Sequence, residues 1–384
     1  MIYLDHAATT PMSETAIRVY SKVSRRYYGN SSSLHDVGSD AESLLEESRR
    51  QLATYFNGNP EGVYFTSGGS ESNHLAIVSM ARGNASKGKH LITTETEHAS
   101  IANTFLLLEN EGFRVTKIPV DSTGTVEVAA VREALEEDTI LVSIGHANSE
   151  IGTVQPLKEI GLLLKERGVL FHSDCVQTFG KIPIDVKGIG LDSLSISSHK
   201  VYGPKGVGAC YIAPNVSWCA SIPGSSHENG FRSGTVNVPG NAAFVTAAEE
   251  MIDSMAHYER HFRMLRNNFV DFAKSDDRIV IEGHPAEHLP AIIGFRVKGL
   301  EGQYVMLELN RKGFAVSTGS ACSVGKQSPS KTMLSLGRSP EEARELVRIS
   351  FGKSTSKKEV EALIQALEGI LASMDTAKSV QAGL

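Results

Sequence analysis

The chain has 384 residues, enough to bury the core of one large domain and a smaller second one. Hydrophobic residues make up 41% and charged residues 21%, which is typical of a soluble globular protein, and no apolar run resembles a membrane span. The 38 basic and 44 acidic residues give a formal net charge of −6, which argues against DNA as a partner and favours a small-molecule substrate.

The N-terminus enters strand-like sequence at once. Residues 1–6 read MIYLDH and lack the basic segment, followed by an apolar one, that marks a secretory signal. The sequence therefore predicts a cytoplasmic protein.

From residue 41 to residue 212, segments with helical periodicity alternate with short apolar runs. Helices are predicted near 41–56, 70–82, 99–111, 127–137 and 156–167. Strands are predicted at Val63–Thr66, His90–Thr94, Ile140–Gly145, Val169–His172, Ser193–Ser197 and Val207–Ile212. This alternation is typical of βαβ units, so we predict an open α/β fold with a mostly parallel sheet.

A second, smaller domain is predicted beyond a proline-free, helix-favouring stretch at 241–274. Strand candidates follow at Arg278–Glu282, Ala291–Val297 and Val347–Phe351, and helices open on capping motifs at Ser339 and Ser356. This mixture indicates an α+β domain. We predict a large domain over residues 16–255, and a small domain formed by residues 1–15 and 256–384 that carries the Cys322 loop.

A glycine-containing turn, TSGGSES at 66–72, follows a predicted strand and opens a predicted helix. Its backbone N–H groups would suit a phosphate group. Small residues also serve any tight strand-to-helix connection, so the turn alone does not decide between the two interpretations.

A lysine, Lys200, stands where an apolar strand ends in a Gly/Pro turn. Open α/β sheets bind ligands at the carboxyl ends of their strands, where a lysine can form an imine with an aldehyde cofactor; the alternative is a solvated turn lysine. Asp174, which ends the preceding apolar strand, suits either a pyridinium partner or a helix N-cap. His98 ends another strand and suits ring stacking, proton transfer or a structural hydrogen bond.

The four cysteines form no CxxC pair and no cluster at zinc spacing, so neither disulfides nor a structural metal is predicted. Cys175, Cys210 and Cys219 sit among apolar or strand-like neighbours and are interpreted as small buried hydrophobes. Cys322 lies instead in the polar stretch STGSACSVG at 317–325. From Ser317 to about residue 332 there are few large apolar anchors, so we predict an exposed, mobile loop.

Seven motifs occur in a fixed order along nearly the whole chain. They are YLDHAATTP at 3–11, TSGGSESN at 66–73, TEH at 96–98, SDCVQ at 173–177, SSHKVYGPKG at 197–206, RSGT at 232–235 and STGSACS at 317–323. Together they resemble the motifs of NifS/IscS-type cysteine desulfurases. The resemblance implies a fold-type I pyridoxal-phosphate (PLP) enzyme of the class V aminotransferase group, with a mostly parallel seven-stranded sheet, that acts on L-cysteine as a homodimer.

The resemblance also implies a role for each matched residue around the cofactor. Lys200 would form the Schiff base, Asp174 would pair with the pyridinium nitrogen, and His98 would stack on the ring. Gln177 would donate a hydrogen bond to the phenolic oxygen of the cofactor. The implied phosphate ligands are Gly69, Ser70, Ser197 and His199, joined by the partner subunit's Thr235.

Two further residues would handle the substrate. Arg348 matches the family arginine that grips the substrate carboxylate, a task that suits its bidentate guanidinium. Cys322 would take the substrate sulfur as a persulfide and pass it to an acceptor protein, such as an iron–sulfur scaffold or a tRNA-thiolation enzyme. Because a free thiol has a pKa of about 8.5, Cys322 needs a base, and His98 and the substrate thiol are the two candidates.

The chain departs from the family pattern at residues 148–150, which read Asn-Ser-Glu where the family usually reads Asn-Asn-Glu. Ser149 takes the position of the asparagine that touches the cofactor or substrate, and Asn148 is the alternative for this contact. His6 stands where tyrosine is common.

Two other functions stay open at this point. One is a related PLP lyase or aminotransferase, such as a selenocysteine lyase, in which Cys322 serves only in selectivity. The other is a binding module without turnover, against which the intact Lys200, Asp174 and Arg348 argue.

Overall fold

A computed structural model describes residues 1–224, 226–319 and 328–382, with side chains described up to residue 374. The strands are β1 (Ile2–Tyr3), β2 (Val63–Thr66), β3 (His90–Thr94), β4 (Arg114–Ile118), β5 (Thr139–Ser143), β6 (Leu170–Asp174), β7 (Ser193–Ser197), β8 (Gly208–Ile212), β9 (Ile279–Glu282), β10 (Ile292–Val297), β11 (Phe314–Ala315), β12 (Ser317–Thr318) and β13 (Leu346–Ser350).

The α-helices are α1 (Glu14–Arg26), α2 (Asp36–Thr54), α3 (Gly69–Gly83), α4 (Ala99–Asn110), α5 (Val128–Ala134), α6 (Leu157–Arg167), α7 (Val186–Ile189), α8 (Val238–Asp253), α9 (Met255–Ser275), α10 (Gly302–Arg311), α11 (Lys331–Ser335), α12 (Pro340–Arg344) and α13 (Lys357–Ala382). Short 3-10 turns occupy Pro60–Gly62, Ser198–Lys200 and His227–Gly230. In the described ranges no helix is both long and apolar enough to cross a membrane.

The largest sheet has seven strands in the order β2-β8-β7-β6-β5-β3-β4. Its neighbours from β4 to β7 pair in parallel, and β8 runs antiparallel to both β7 and β2. The mostly parallel α/β sheet predicted from the sequence is therefore confirmed, including the seven strands that the family resemblance implied.

The sequence pattern does not predict β4, which forms one edge of this sheet. Its residues, RVTKI, are exposed or half-buried except for Ile118. Charged residues on an edge strand protect its unpaired backbone groups from pairing with another chain. They also remove the continuous apolar run on which strand prediction relies.

Helices cover both faces of the large sheet. One core includes Leu52 of α2 and Phe244 of α8, and the core on α3 and α4 includes Ile77 and Phe105. Strands β3, β5 and β7 are accordingly buried at every position. Burial of a side chain the size of Leu or Phe contributes about 1.5–3 kcal/mol. The two cores therefore hold the helices firmly against the sheet, and with them the loops at the strand ends.

The C-terminal part of the chain builds a four-stranded antiparallel sheet in the order β12-β13-β10-β9. It has a separate core that includes Phe269 and Phe295. The start of the chain joins this part, because β1 pairs with β11 and Asp5 forms a bridge with Ser350. The division into residues 16–255 and residues 1–15 with 256–384 stays a prediction. The helix-favouring stretch at 241–274 forms two helices, α8 and α9, which meet at Ser254.

Candidate active site

Polar side chains gather at the carboxyl edge of the large sheet. Asp174 is the last residue of β6, and Lys200 ends the 3-10 turn that follows β7. His98 lies just beyond β3 and caps α4 by accepting the N–H of Ser100. Parallel strands end at the same edge of a sheet, where open α/β proteins bind their ligands. The structure thus brings these three predicted residues to one edge.

A buried amide, Asn73 of α3, joins these strand ends. Its Nδ2 donates to Asp174 Oδ2 at 2.7 Å and to Ser100 Oγ at 3.0 Å. Ser100 Oγ in turn lies 2.8 Å from Nδ1 of His98. Asn73 therefore fixes the orientation of the Asp174 carboxylate and, through Ser100, of the His98 ring.

The other end of the Asn73 amide is held by His172, whose Nε2 lies 3.2 Å from Asn73 Oδ1. Burial lowers the pKa of His172 to about 3, so its ring is neutral. A neutral ring carries one N–H, which donates to the amide oxygen while Nδ1 accepts from Ser193 Oγ at 2.9 Å. The sequence analysis assigned Asn73 no role. The available signal was a polar residue on a buried helix face, four positions after Gly69.

The N-terminal segment runs beside Lys200. Lys200 Nζ donates to the carbonyl oxygens of Ala7 and, at 2.9 Å, of Ala8. The neighbouring His199 contacts Thr9 Oγ1 through Nδ1 at 3.0 Å. Burial, together with the cations Lys200, Lys205 and Lys181, lowers the pKa of His199 to about 4. His199 is therefore neutral at pH 7.

Gln177 extends the same cluster from the segment that follows β6. Its Nε2 donates to the Ala7 carbonyl at 3.1 Å, the same oxygen that Lys200 contacts. Gln177 Oε1 lies 3.4 Å from Nζ of Lys181. Gln177 and Lys200, which the resemblance places around one cofactor, thus meet at one carbonyl group.

The turn before α3 has the features of an anion site. Gly68 has φ of +149°, a conformation that favours glycine, and no side chain within the described residues caps the first turn of α3. A Cβ on Gly69 would lie 2.6 Å from Val176 Cγ2, so a larger residue at this position would force Val176 to move. Ser70, the next residue of the helix, is exposed. The first N–H groups of α3 are thus oriented to bind an anion.

Ser197 lies opposite this turn, at the end of β7. Its hydroxyl is buried and has no hydrogen-bond partner among the described residues. The hydroxyl oxygen would lie 3.8 Å from a Cβ placed on Gly68. A buried hydroxyl beside a helix N-terminus completes a site that suits a phosphate group.

The RSGT segment is tied to this turn by an ion pair. Arg232 Nε donates to Glu71 Oε2 at 2.9 Å, and the same oxygen accepts the N–H of Ser67 at 2.5 Å. Thr235, three residues further along, is exposed. Its contact with a cofactor in a second subunit stays a prediction.

Arg348 is buried in β13, where it meets both the N-terminal segment and the loop at 148–150. Its Nη2 lies 2.7 Å from Asp5 Oδ1, and its Nη1 donates to the Ser149 carbonyl at 3.0 Å. Its Nε is buried without a hydrogen-bond partner in the described ranges. The guanidinium therefore already holds one carboxylate and retains a free donor.

The Asn148 side chain forms hydrogen bonds within the turn to which it belongs. Its Oδ1 accepts the N–H groups of Glu150 at 2.8 Å and Ile151 at 3.1 Å. Its Nδ2 contacts the Thr96 carbonyl at 3.3 Å. Both Asn148 and Ser149 stay predictions for the contact that the family asparagine makes.

Two half-buried carboxyl groups, Glu97 and Glu150, lie beside these residues, and no sequence motif indicated a role for either. Glu97 accepts hydrogen bonds from Thr94 Oγ1 and from the Gly145 N–H, both at 2.9 Å. Glu150 accepts from Ser330 Oγ at 2.6 Å. Burial raises the pKa of each glutamate to about 7. Each therefore exchanges a proton near neutral pH.

Cys322 lies outside the described residues. The described chain stops at residue 319, just after β12, in which Ser317 is the register partner of Arg348. The loop was predicted from Ser317 to about residue 332, but regular elements occupy both ends of that range. Residues 317–318 form β12, and Ser330 caps α11 by accepting the Met333 N–H at 3.2 Å.

The other cysteines divide into two kinds. Cys175 and Cys210 are buried, and burial raises the pKa of Cys175 to about 12 and that of Cys210 well above its ordinary value. Cys219 is exposed, so its interpretation as a buried hydrophobe is wrong. Cys219 follows Trp218, and its own backbone N–H donates to the Ser79 carbonyl of α3 at 3.0 Å.

Comparisons with known proteins give one consistent family. Residues 2–363 match the family model described as Aminotransferase class-V. The chain is 47% identical over 367 residues to "Putative cysteine desulfurase NifS" of Bacillus subtilis, covering 95% of this chain and 93% of that protein.

Two solved structures are similar over most of the chain. A "NIFS-LIKE PROTEIN" superposes with a TM-score of 0.90 at 31% identity, covering 97% of this chain and 99% of that chain. "SspA in complex with cysteine" superposes with a TM-score of 0.80 at 30% identity, covering 91% and 99% respectively.

Proposed function

Because this chain belongs to the class-V aminotransferase family, we propose that it is a cysteine desulfurase, which converts L-cysteine to L-alanine and takes the sulfur as a persulfide on Cys322. The observation that carries the proposal is the arrangement of Lys200, Asp174 and the turn before α3 at one edge of the large sheet. Cysteine desulfurases of this family depend on PLP.

The residues present fit PLP at each of its functional groups. Lys200 supplies an amine for the aldehyde, and Asp174 supplies a carboxylate for the pyridinium nitrogen. The turn before α3, with its N–H groups, and the unpartnered hydroxyl of Ser197 suit the phosphate. When bound, PLP supplies an electron sink that stabilises negative charge on the α-carbon of the substrate.

The protein's own groups hold this cofactor and move protons around it. Asp174 would keep a proton on the pyridine nitrogen, and Asn73 and the Val176 N–H, at 2.7 and 2.9 Å, hold its carboxylate in place. His98 would stack on the ring. Lys200 would form the covalent link to the cofactor, and its amine would carry the proton from the α-carbon of the substrate.

Arg348 binds the substrate carboxylate. The guanidinium would hold a substrate carboxylate by a charge-assisted hydrogen bond, as it holds Asp5. Gly69, Ser70, Ser197 and His199 and the partner subunit's Thr235 would bind the phosphate, and Gln177 would bind the phenolic oxygen. Ser149 or Asn148 completes the contacts with the cofactor and substrate.

The sulfur transfer balances without an external oxidant. The Cys322 thiolate forms a bond to the substrate sulfur, and the bond between that sulfur and the β-carbon breaks with its electron pair left on carbon. A proton on that carbon completes L-alanine, so cysteine and a thiol give alanine and a persulfide. His98 or the substrate thiol accepts the proton of Cys322.

The persulfide passes to an acceptor protein, such as an iron–sulfur scaffold or a tRNA-thiolation enzyme. This chemistry needs a reduced thiol on Cys322 at the start of each cycle. We therefore place the enzyme in the cytoplasm, where thiols are kept reduced.

Product analysis tests the proposal directly. The protein loaded with PLP is expected to release alanine from L-cysteine and, with a thiol reductant present, one sulfide for each alanine. Without reductant, mass spectrometry should find one added sulfur atom on the peptide that contains Cys322. Sulfide release without that persulfide would favour the lyase, and PLP binding without turnover would favour a binding module.

A homodimer is expected, because the resemblance assigns Thr235 to the phosphate of a partner subunit and the residue is exposed and free to make such a contact. Light scattering should give twice the mass of the chain. Thr235→Ala is expected to weaken PLP binding by about 10-fold or more, the effect of losing one hydrogen bond to a charged group. Ser233→Ala, an exposed neighbour, is the control. A monomer with full PLP occupancy and activity would contradict the dimer.

A further inference from the structure

A second lysine lies behind the candidate site. Lys181 and Lys200 line one small cavity, together with His6, Ala7 and Tyr202. Lys181 follows β6 by seven positions, in the segment that also carries Gln177. The proposed reaction gives Lys181 no task.

The contacts of Gln177 fix which way its amide points. Lys181 Nζ lies 3.4 Å from Gln177 Oε1 and donates to the oxygen end of the amide. The Ala7 carbonyl lies 3.1 Å from Nε2 and can only accept, so it selects the nitrogen end. The Nε2 group has two hydrogens. One hydrogen is donated to the Ala7 carbonyl, and the second can be donated to a ligand.

The charged groups nearest Lys181 are cations, and the hydrogen-bond partner of its Nζ among the described residues is the Gln177 amide. Burial, and then the cations Lys200 and Arg348, lower the pKa of Lys181 to about 7. His6 has a pKa lowered to about 4 by burial and by Lys181, with Glu359 opposing the shift. The neutral His199 also faces Lys181.

No carboxylate within the described part of the chain forms an ion pair with Lys181, and Asp5 is already paired with Arg348. In its protonated form, Lys181 polarises the amide that accepts its hydrogen bond. That polarisation strengthens the N–H donors at the other end of the amide.

We propose that Lys181 is a positioning residue, which holds the Gln177 amide so that its second N–H donates to the phenolic oxygen of PLP. The inference rests on the proposed function for the cofactor and for the Gln177 contact. Without Lys181, the Ala7 carbonyl alone holds the nitrogen end of the amide and Oε1 loses its donor, so the second N–H is a weaker and less firmly held donor to the phenolic oxygen. The consequence falls on the nitrogen that joins Lys200 to the cofactor. A weaker donor leaves more negative charge next to that nitrogen, so the pKa of the nitrogen rises.

The test measures the pH midpoint of the visible absorbance of PLP bound to the protein, without substrate. Lys181→Met is expected to raise the midpoint by about one pH unit, because one hydrogen bond to a charged group is lost. Gln177→Leu alone should raise it as well. In the Gln177→Leu background, Lys181→Met should add no more than roughly 0.3 unit, since Lys181 acts through Gln177. Lys187→Met, the same change at an exposed lysine, should leave the midpoint unchanged.

An unchanged midpoint in Lys181→Met would overturn the inference. An equal shift with and without Gln177→Leu would also overturn it, because Lys181 would then act on the cofactor directly through its charge and not through Gln177. If Lys181→Met does not fold, Lys181→Gln takes its place with an expected rise of about half a unit, and an unchanged midpoint there has the same meaning. Thermal unfolding of the variants without cofactor checks the fold. If the wild-type chain with PLP develops no visible absorbance, the proposed function fails, not this inference alone.

Discussion

Replacement of Lys200 by alanine is expected to abolish desulfuration. The variant loses the amine that links to PLP and the group that moves the α-proton, so alanine release should fall by more than about 10³-fold. PLP added to Lys200→Ala should remain exchangeable on dialysis, whereas the wild-type protein should keep it. Alanine release and the absorbance after dialysis are the two measurements.

Lys205→Ala is the matched control, because Lys205 belongs to the same motif and is exposed. The Lys200 side chain also donates to the carbonyls of Ala7 and Ala8, and each lost hydrogen bond costs about 1 kcal/mol. Thermal unfolding of the protein without cofactor should therefore show a small loss of stability in Lys200→Ala. A folded Lys200→Ala variant with wild-type turnover would remove the basis of the assignment.

The central sheet is predictable because its strands are buried on both faces and appear as short apolar runs. The six strands predicted in this sheet coincide with β2, β3, β5, β6, β7 and β8 to within two residues at each end. The polar edge strand β4 carries no such run. Its position depends on its pairing with β3, which is a tertiary contact.

The residues of the candidate site also fall into two groups, those that local sequence indicates and those that depend on long-range contacts. Strand ends indicate Asp174 and Lys200, because a residue at the carboxyl edge of a parallel sheet is placed by local sequence. The role of Asn73 depends on partners 27 and 101 positions away, and no local pattern specifies them. Arg348 meets Asp5 across 343 positions. Such contacts become visible only in the folded structure.

The polar neighbours of a cysteine indicate a loop, but they do not fix the limits of that loop. Ser330 illustrates this, since its hydroxyl both caps α11 and donates to the half-buried Glu150. Both partners are set by the fold. The sequence pattern therefore extended the predicted loop into residues that the structure shows as β12 and α11.

The positions of the described cysteines leave Cys322 as the expected nucleophile. Cys175 and Cys210 are buried and their thiol pKa values are raised, so they are neither accessible nor ionised at pH 7. Cys219 is exposed, but its segment contacts Ser79, ten residues or about 15 Å along α3 from the turn at Gly69. Cys322 follows Ser317 by five residues, a span of at most roughly 17 Å, and Ser317 pairs with Arg348.

Cys322→Ser is therefore expected to keep bound PLP and to lose sulfur transfer. Addition of L-cysteine should still change the visible spectrum, because Lys200 and Arg348 remain in place, but alanine and sulfide release should fall by more than about 10³-fold. Cys219→Ser is the matched control, an exposed thiol that should be dispensable, and Cys175→Ser and Cys210→Ser should also stay active. If Cys322→Ser released alanine and sulfide at the wild-type rate, the persulfide mechanism would be wrong, and a lyase that needs no protein thiol would take its place.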